Sequence, residues 1–239
     1  MGYTLEMKLD EQSLKCELLA MFRRQRLIGS SSVIASEFVL GRTGCRSDLA
    51  IWNGQFIGIE VKSARDSLSR LPEQLQAYLK FFDEVILLCD ETHLVKADAL
   101  CPAGVGIYVW QDDEIKVYRS AQTNIRHDEM ECARHLSVKN LQSALGLKPG
   151  HGYSRTALER QLLNASSICI KSLVKASFKS TYRCTTEIFL NATKRKSIKP
   201  EHLRHLSRYA DSREEQEKNY ADRKTFWRQW EQQAQAVFG

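Results

Sequence analysis

The chain is poor in the features that mark special classes of protein. Four prolines and 12 glycines in 239 residues are too few for a collagen-like or low-complexity chain. No window approaches the ~20 consecutive apolar residues that a membrane span requires. The first ten residues mix Glu6, Lys8 and Asp10 with apolar side chains where a signal peptide would carry an apolar run. The expectation is a cytoplasmic protein with no membrane partner. The seven cysteines are odd in number and include no Cys-x-x-Cys pair, so reduced, partly buried thiols are expected. No Walker-type or dinucleotide-binding glycine pattern occurs, since Gly104-Val-Gly106 is too short for one, and neither an internal repeat nor a low-complexity tract is present.

What remains is 43% hydrophobic and 27% charged, the balance of a globular chain long enough for one sizeable core, with or without a helical appendage. The net charge of +6 hides an asymmetry: residues 1–122 carry 14 basic and 17 acidic residues, and residues 123–239 carry 21 and 12. The N-terminal half is therefore at −3 and the C-terminal half at +9. A basic half suits a polyanionic partner, because each Lys or Arg that neutralises a phosphate releases a counterion. A solvated helical surface would look the same.

Hydrophobic spacing divides the chain at the same place. Leu5, Leu14, Leu18, Leu19, Phe22 and Leu27 recur at mostly helical intervals, predicting one or two amphipathic helices over 4–28, ended by Gly29. Three short strands are predicted over 33–40, 47–52 and 56–62, the last two joined by Asn53-Gly54, the pair that favours a tight two-residue hairpin. Asp66 or Ser69 is the expected cap of a helix containing 74–82. The apolar run at 84–89 reads as a strand buried on both faces, and a hairpin over 106–110 and 114–118 follows. These elements predict an α/β domain over 1–122. Beyond it, helices are predicted near 137–146, 154–178, 183–193, 201–210 and 212–238, a basic all-helical domain over 123–239. Its last helix opens with a capping-box pattern, Ser212-Arg-Glu-Glu215.

One stretch carries chemistry: Arg46-Ser-Asp48-Leu-Ala-Ile-Trp-Asn-Gly-Gln-Phe-Ile-Gly-Ile-Glu60-Val-Lys62. Side chains alternate along a strand, so Glu60 and Lys62 share a face. The hairpin folds Asp48 back to within about one residue of a position opposite Glu60. Two carboxylates so close repel unless a cation lies between them, and hard oxygen ligands suit Mg²⁺ or Mn²⁺. A neighbouring Lys can orient an attacking water or stabilise charge growing on a phosphate.

Over about residues 4–90 this arrangement resembles the PD-(D/E)XK nuclease superfamily, in which an acid precedes a hairpin and Glu-X-Lys follows it. Gln74-Leu-Gln-Ala-Tyr78 resembles the Gln-x-x-x-Tyr helix of its RecB-like members. Ile59-Glu-Val-Lys-Ser63, Asp66-Ser-Leu-Ser-Arg70-Leu and Phe82-Asp83 look like a small bacterial and phage subfamily. The sequence departs from the superfamily pattern at Ser47, where the name has Pro. The resemblance implies a restriction-endonuclease-like core of a helix, a three-stranded antiparallel meander, a helix and a strand, with the helical module appended. It implies a metal-dependent nuclease acting on DNA. Asp48, Glu60 and the Val61 carbonyl would hold Mg²⁺ or Mn²⁺, Lys62 would position the nucleophile, and Gln74 would reach in from its helix. Many members add another acid. Glu37, set among apolar neighbours where a carboxylate is costly without a partner, is preferred over Glu17, which suits a solvated helix face. The alternative is a nucleic-acid-binding or regulatory protein on an inactive nuclease scaffold.

Other motifs favour structural roles. His202-x-x-His205 lacks a third metal ligand and Cys132-x-x-His135 lacks a second half. Ser154 to Arg160, Lys194-Arg195-Lys196 and Lys199 either contact phosphates or cap and solvate helix ends. Phe226, Trp227 and Trp230 suit a core or a dimer seam better than a base-stacking platform, so a homodimer or larger complex through the C-terminal helices is an expectation.

Overall fold

The computed structural model describes residues 8–125, 127–148 and 152–207, together with Arg223, Trp227 and Trp230. Helix α1 (Glu11–Arg24) leads into strands β1 (Val33–Val39), β2 (Arg46–Trp52) and β3 (Phe56–Lys62), followed by α2 (Leu71–Leu79) and β4 (Glu84–Asp90). Helix α3 (Leu94–Leu100) precedes β5 (Gly106–Gln111) and β6 (Glu114–Arg119). Helices α4 (Glu129–His135), α5 (Val138–Ala144), α6 (Arg155–Asn164), α7 (Ile170–Ala192) and α8 (Pro200–Leu203) complete the described fold. The strands form one six-stranded sheet in sequential order. β1 to β3 are an antiparallel meander, β3, β4 and β5 run parallel, and β6 returns antiparallel. The protein is thus α/β with a mixed sheet and a C-terminal helical part. Among the described residues no helix is long and apolar enough to cross a membrane.

The period-two alternation of the strands splits the core into two layers. Ile34, Leu49, Ile51, Ile57, Ile59, Val61, Ile86 and Leu88 face Leu14, Leu18, Leu19 and Phe22 of α1. Ala35, Ala50, Phe56, Val85 and Leu87 face Leu75 and Tyr78 of α2 and Val174, Phe178 and Tyr182 of α7. The helical half therefore shares its core with the sheet. Phe56 has the rings of Phe82 at 4.7 Å and Phe178 at 4.9 Å between centroids, separations at which aromatic pairs attract.

Three contacts fix how the layers meet. A Cβ on Gly58 would lie 2.1 Å from the Phe82 ring, so only glycine lets the chain leaving α2 close onto β3. At the β1 edge, Thr186 of α7 accepts the Ile34 N–H (2.8 Å) and donates to Tyr182 O (2.7 Å), covering an edge that would otherwise offer unpaired donors. Finally, Asp83 is buried and accepts from the Phe56 N–H (2.8 Å), while Lys171 and Lys175 of α7 lie 2.5 and 2.7 Å from its carboxylate oxygens.

Several sequence expectations are corrected. The β2–β3 connection has three residues, since Trp52 pairs with Phe56, and Gly54 takes φ 115°. Neither Asp66 nor Ser69 caps α2: its N-cap is Arg70 with no side-chain bond, and Asp66 instead accepts from the Ser63 N–H at 2.7 Å. The first helix is shorter than 4–28, and residues 1–7 lie outside the described ones. The helices expected over 154–178 and 183–193 are divided elsewhere. The break falls after Asn164, where Asn and Ser side chains compete for backbone hydrogen bonds. α7 then continues unbroken because Phe178, Tyr182, Thr186 and Phe189 keep one face buried. Helices α3 and α4 were not expected. The segment expected as a helix over 201–210 is α8 followed by a 3-10 turn, Arg204–Leu206. Apart from Arg223, Trp227 and Trp230, the helix expected over 212–238 lies outside the described residues, Phe226 included.

The Lys171 and Lys175 ammoniums and the Phe56 N–H outweigh the effect of burial on Asp83 and hold it below its ordinary 3.8. Its contribution to stability is present above 3.8 and lost as pH falls through the lowered value. Asp83→Asn should reduce the unfolding free energy at neutral pH by about 3 kcal/mol, the low end of the cost of breaking a buried pair because both lysines keep some exposure. Urea titrations should show the deficit closing below pH 3.8.

Candidate functional site

The strand registers place three carboxylates in one row. Ser36 pairs with Leu49 and Phe38 with Ser47, which sets Glu37 across from Asp48. Leu49 pairs with Ile59, so the next step along β2 and β3 sets Asp48 across from Glu60. The ladder itself is interrupted along this row. Glu37 takes a left-handed φ of 57°, which costs a non-glycine residue on the order of 1 kcal/mol. The Val61 N–H donates to Asp48 Oδ2 at 2.7 Å. A side chain takes the bond that a backbone carbonyl would take in a regular sheet.

Cations meet the row from both layers. From α1, Lys15 is 1% exposed and its Nζ lies 2.5 Å from Glu11 Oε1, 3.2 Å from Glu37 Oε1 and 3.7 Å from Asp48 Oδ1. Arg46 Nε lies 2.5 Å from Glu37 Oε2. On the opposite layer, Lys62 Nζ lies 2.6 Å from Glu60 Oε1, and the Tyr78 hydroxyl donates to Glu60 Oε2. Glu60 is buried and Asp48 half-buried. Burial, followed by the Glu60 carboxylate, pushes Asp48 up to about 7 despite Lys15 and the Val61 N–H. Burial disfavours the Lys15 charge, but Asp48, Glu11 and Glu37 outweigh it and raise its pKa. Burial and Glu60 carry Tyr78 well above its ordinary 10.0, which keeps the phenol protonated as a donor.

These groups open onto a cleft of about 910 Å³ lined among others by Arg46, Asp48, Glu60, Lys62, Arg70 and Gln74. Gln74 projects from the second turn of α2, and its Oε1 is buried without a hydrogen-bond partner. Val61 also lines the cleft. Of the residues singled out in the sequence, Glu37, Asp48, Glu60, Val61, Lys62 and Gln74 therefore come together. Glu17, the competing acid on α1, is outside this cleft. Two participants escaped the sequence reading. Glu11 joins Glu37 and Asp48 with carboxylate oxygens all within 4.8 Å of one another, and Lys15 sits against all three. The available signal was the four-residue spacing of Glu11 and Lys15 on an otherwise apolar helix face.

The other expected positions have structural roles. Cys132 is buried with its Sγ 3.6 Å from Lys80 O, and His135 Nδ1 accepts the Gly41 N–H. His202 Nδ1 accepts the Lys199 N–H, and Ser154 caps α6. A second cleft, of about 480 Å³ between β1, α5 and α7, contains Arg155, which is committed to Glu159 and to the carbonyls of Arg134 and Leu136.

Fold and site together define an α/β protein in which an acidic row with two lysines crosses the end of a meander inside a mixed sheet. The model of the Bacteriophage P4 protein cII family matches residues 5–207, and the chain belongs to that family. It is 26% identical over 190 residues to protein cII of Enterobacteria phage P4, covering 77% of this chain and 72% of that protein. A solved structure of a protein of unknown function from Silicibacter pomeroyi is 22% identical, with a TM-score of 0.39 over 60% of this chain and 97% of that one. That likeness is too loose to carry an inference.

Asp48 is raised from 3.8 to about 7 by folding. The native state therefore binds its proton more tightly than the unfolded chain, and stability from this group falls as pH rises between those values. Asp48→Asn, which keeps an acceptor for the Val61 N–H, should be more stable than the parent chain in EDTA above pH 7. The advantage should vanish toward pH 3.8, as read from urea midpoints across that range.

Proposed function

We propose that this protein is a metal-dependent nuclease of the PD-(D/E)XK kind, with a restriction-endonuclease-like core, that hydrolyses phosphodiester bonds in DNA with Mg²⁺ or Mn²⁺. The observation that carries the reading is that Asp48 and Glu60 stand across from each other on adjoining strands, with Lys62 and Gln74 on the same cleft. The donor set fits such an ion. Burial and Glu60 drive Asp48 toward its neutral form, a cost that a cation removes, and Gln74 Oε1 is left without a partner beside it.

Asp48, Glu60 and the Val61 carbonyl would hold the ion, and Glu37, whose two oxygens lie on Lys15 and Arg46, would stand behind them. When bound, it supplies the positive charge that lets a phosphodiester and an attacking water approach each other. Lys62, now on Glu60, would turn its ammonium toward the charge developing on the phosphate. Gln74 would orient the water, and Tyr78 holds the Glu60 carboxylate in place through its hydroxyl. Arg46 and Arg70, on the wall of the cleft, would hold the nucleic-acid backbone without reading its sequence.

One observation favours the second reading, a nucleic-acid-binding protein on an inactive scaffold: Lys15 and Lys62 already neutralise much of the acidic row. A panel of circular and linear, single- and double-stranded substrates distinguishes the two. Cleavage should require Mn²⁺ or Mg²⁺ and stop in EDTA. Glu60→Gln and Lys62→Met should each lose at least about 100-fold in rate with an unchanged circular dichroism spectrum. Full activity in either variant would sink the nuclease assignment, and binding without cleavage in the parent chain would select the second reading.

A further inference from the structure

Three carboxylates within reach of one another would ordinarily be read as a cation site, and Glu11, Glu37 and Asp48 fulfil that condition. Lys15 changes the reading. Its side chain is 1% exposed, so its ammonium has left water and depends on these carboxylates for compensation. Nζ lies 2.5, 3.2 and 3.7 Å from one oxygen of each. The position is built into the fold. Lys15 lies on the buried face of α1 between Leu14 and Leu18, which are packed against the sheet, and Glu37 faces it from a left-handed backbone conformation of its own within β1.

We infer that Lys15 is a resident counter-ion that excludes a divalent cation from the Glu11–Glu37–Asp48 cluster and confines this cleft to a single divalent ion, on the Asp48–Glu60 side of the row. This rests on the proposed metal-dependent reading and deepens it. Glu11 is then a partner of lysine and not a metal ligand. Asp48 is shared, with Oδ1 toward Lys15 and Oδ2 on the Val61 N–H. Lys15 acts as a positioning residue: it holds Asp48 and Glu37 in place while the reacting atoms lie on the other side of the row. The charge logic is simple. The Lys15 ammonium already occupies the space among the Glu11, Glu37 and Asp48 oxygens that an ion would need, and two cations cannot share it, so that cluster accommodates one or the other.

The test counts Mn²⁺ bound to the full chain by the loss of the free-ion electron paramagnetic resonance signal, alongside thermal midpoints with and without Mn²⁺. The parent chain should bind one Mn²⁺. Glu11→Gln, which retains an acceptor for Lys15, should keep the parent affinity to within about 100-fold, the range for a change behind the ligands. Lys15→Met should have a lower midpoint in EDTA, gain a second Mn²⁺, and recover more of its midpoint on adding Mn²⁺ than the parent does. Lys15→Arg should keep the parent stoichiometry. Two Mn²⁺ on the parent chain, or a weakening beyond about 100-fold in Glu11→Gln, overturns the inference even if Lys15→Met fails to fold. No Mn²⁺ on the parent chain overturns instead the metal-dependent reading on which it rests.

Discussion

Placing Glu37, Asp48 and Glu60 in one row across three hydrogen-bonded strands puts like charges side by side where the sheet has little access to water. At an effective dielectric near 20, two such charges about 4 Å apart repel by roughly 4 kcal/mol, a large fraction of what holds a domain of this size together. The fold meets this constraint from both sides of the sheet. Lys15 descends from α1 onto Glu37 and Asp48, and Lys62, on β3 itself, closes on Glu60 with help from the Tyr78 hydroxyl of α2. The positions of α1 and α2 over their respective faces are therefore coupled to the electrostatics of the row. Compensation remains incomplete at Asp48, which is pushed up to about 7.

The same economy governs the basic C-terminal half. Part of its positive charge is spent inside the protein: Lys171 and Lys175 on Asp83, and Lys175 and Lys179 over the face of Trp52, 5.2 and 5.0 Å from the ring centroid. A cation over an aromatic face contributes about 0.5–1 kcal/mol at a surface. These contacts bind α7 to the end of the meander opposite the acidic row. With Phe178 and Tyr182 packed into the aromatic cluster and Thr186 on the edge of β1, α7 works as much as a wall of the core as a carrier of charge. The +9 of this half is thus not all available to a polyanion.

Much of the scaffold was legible because its signals are local. Alternation over Ile57–Lys62, the Asn-Gly turn before it and the apolar run of β4 specify three strands by residue type and period alone. The count of residues on either side of the turn brought Asp48 near Glu60, and the three-residue connection placed them directly across. Helix boundaries were less legible. The split between α6 and α7 depends on which apolar residues find a partner, and Phe178, Tyr182 and Thr186 are partnered by β1, more than a hundred residues earlier. Lys15 and Glu11 were missed for a similar reason: a charged pair four residues apart reads as solvated until something covers it.

The order of the strands, the antiparallel pairing of β2 with β3 and the sharing of one strand face by Glu60 and Lys62 were thus legible in the sequence alone, because each follows from periodicity and turn chemistry over a few residues. Only the tertiary structure decided that Glu37 turns out of the β conformation beside Asp48, that Lys15 is the cation lying between α1 and the row, and that Asp83 draws the helical half onto the sheet. Those outcomes depend on distances between segments remote in the chain, where Coulomb energy and desolvation are set by geometry that no local pattern encodes.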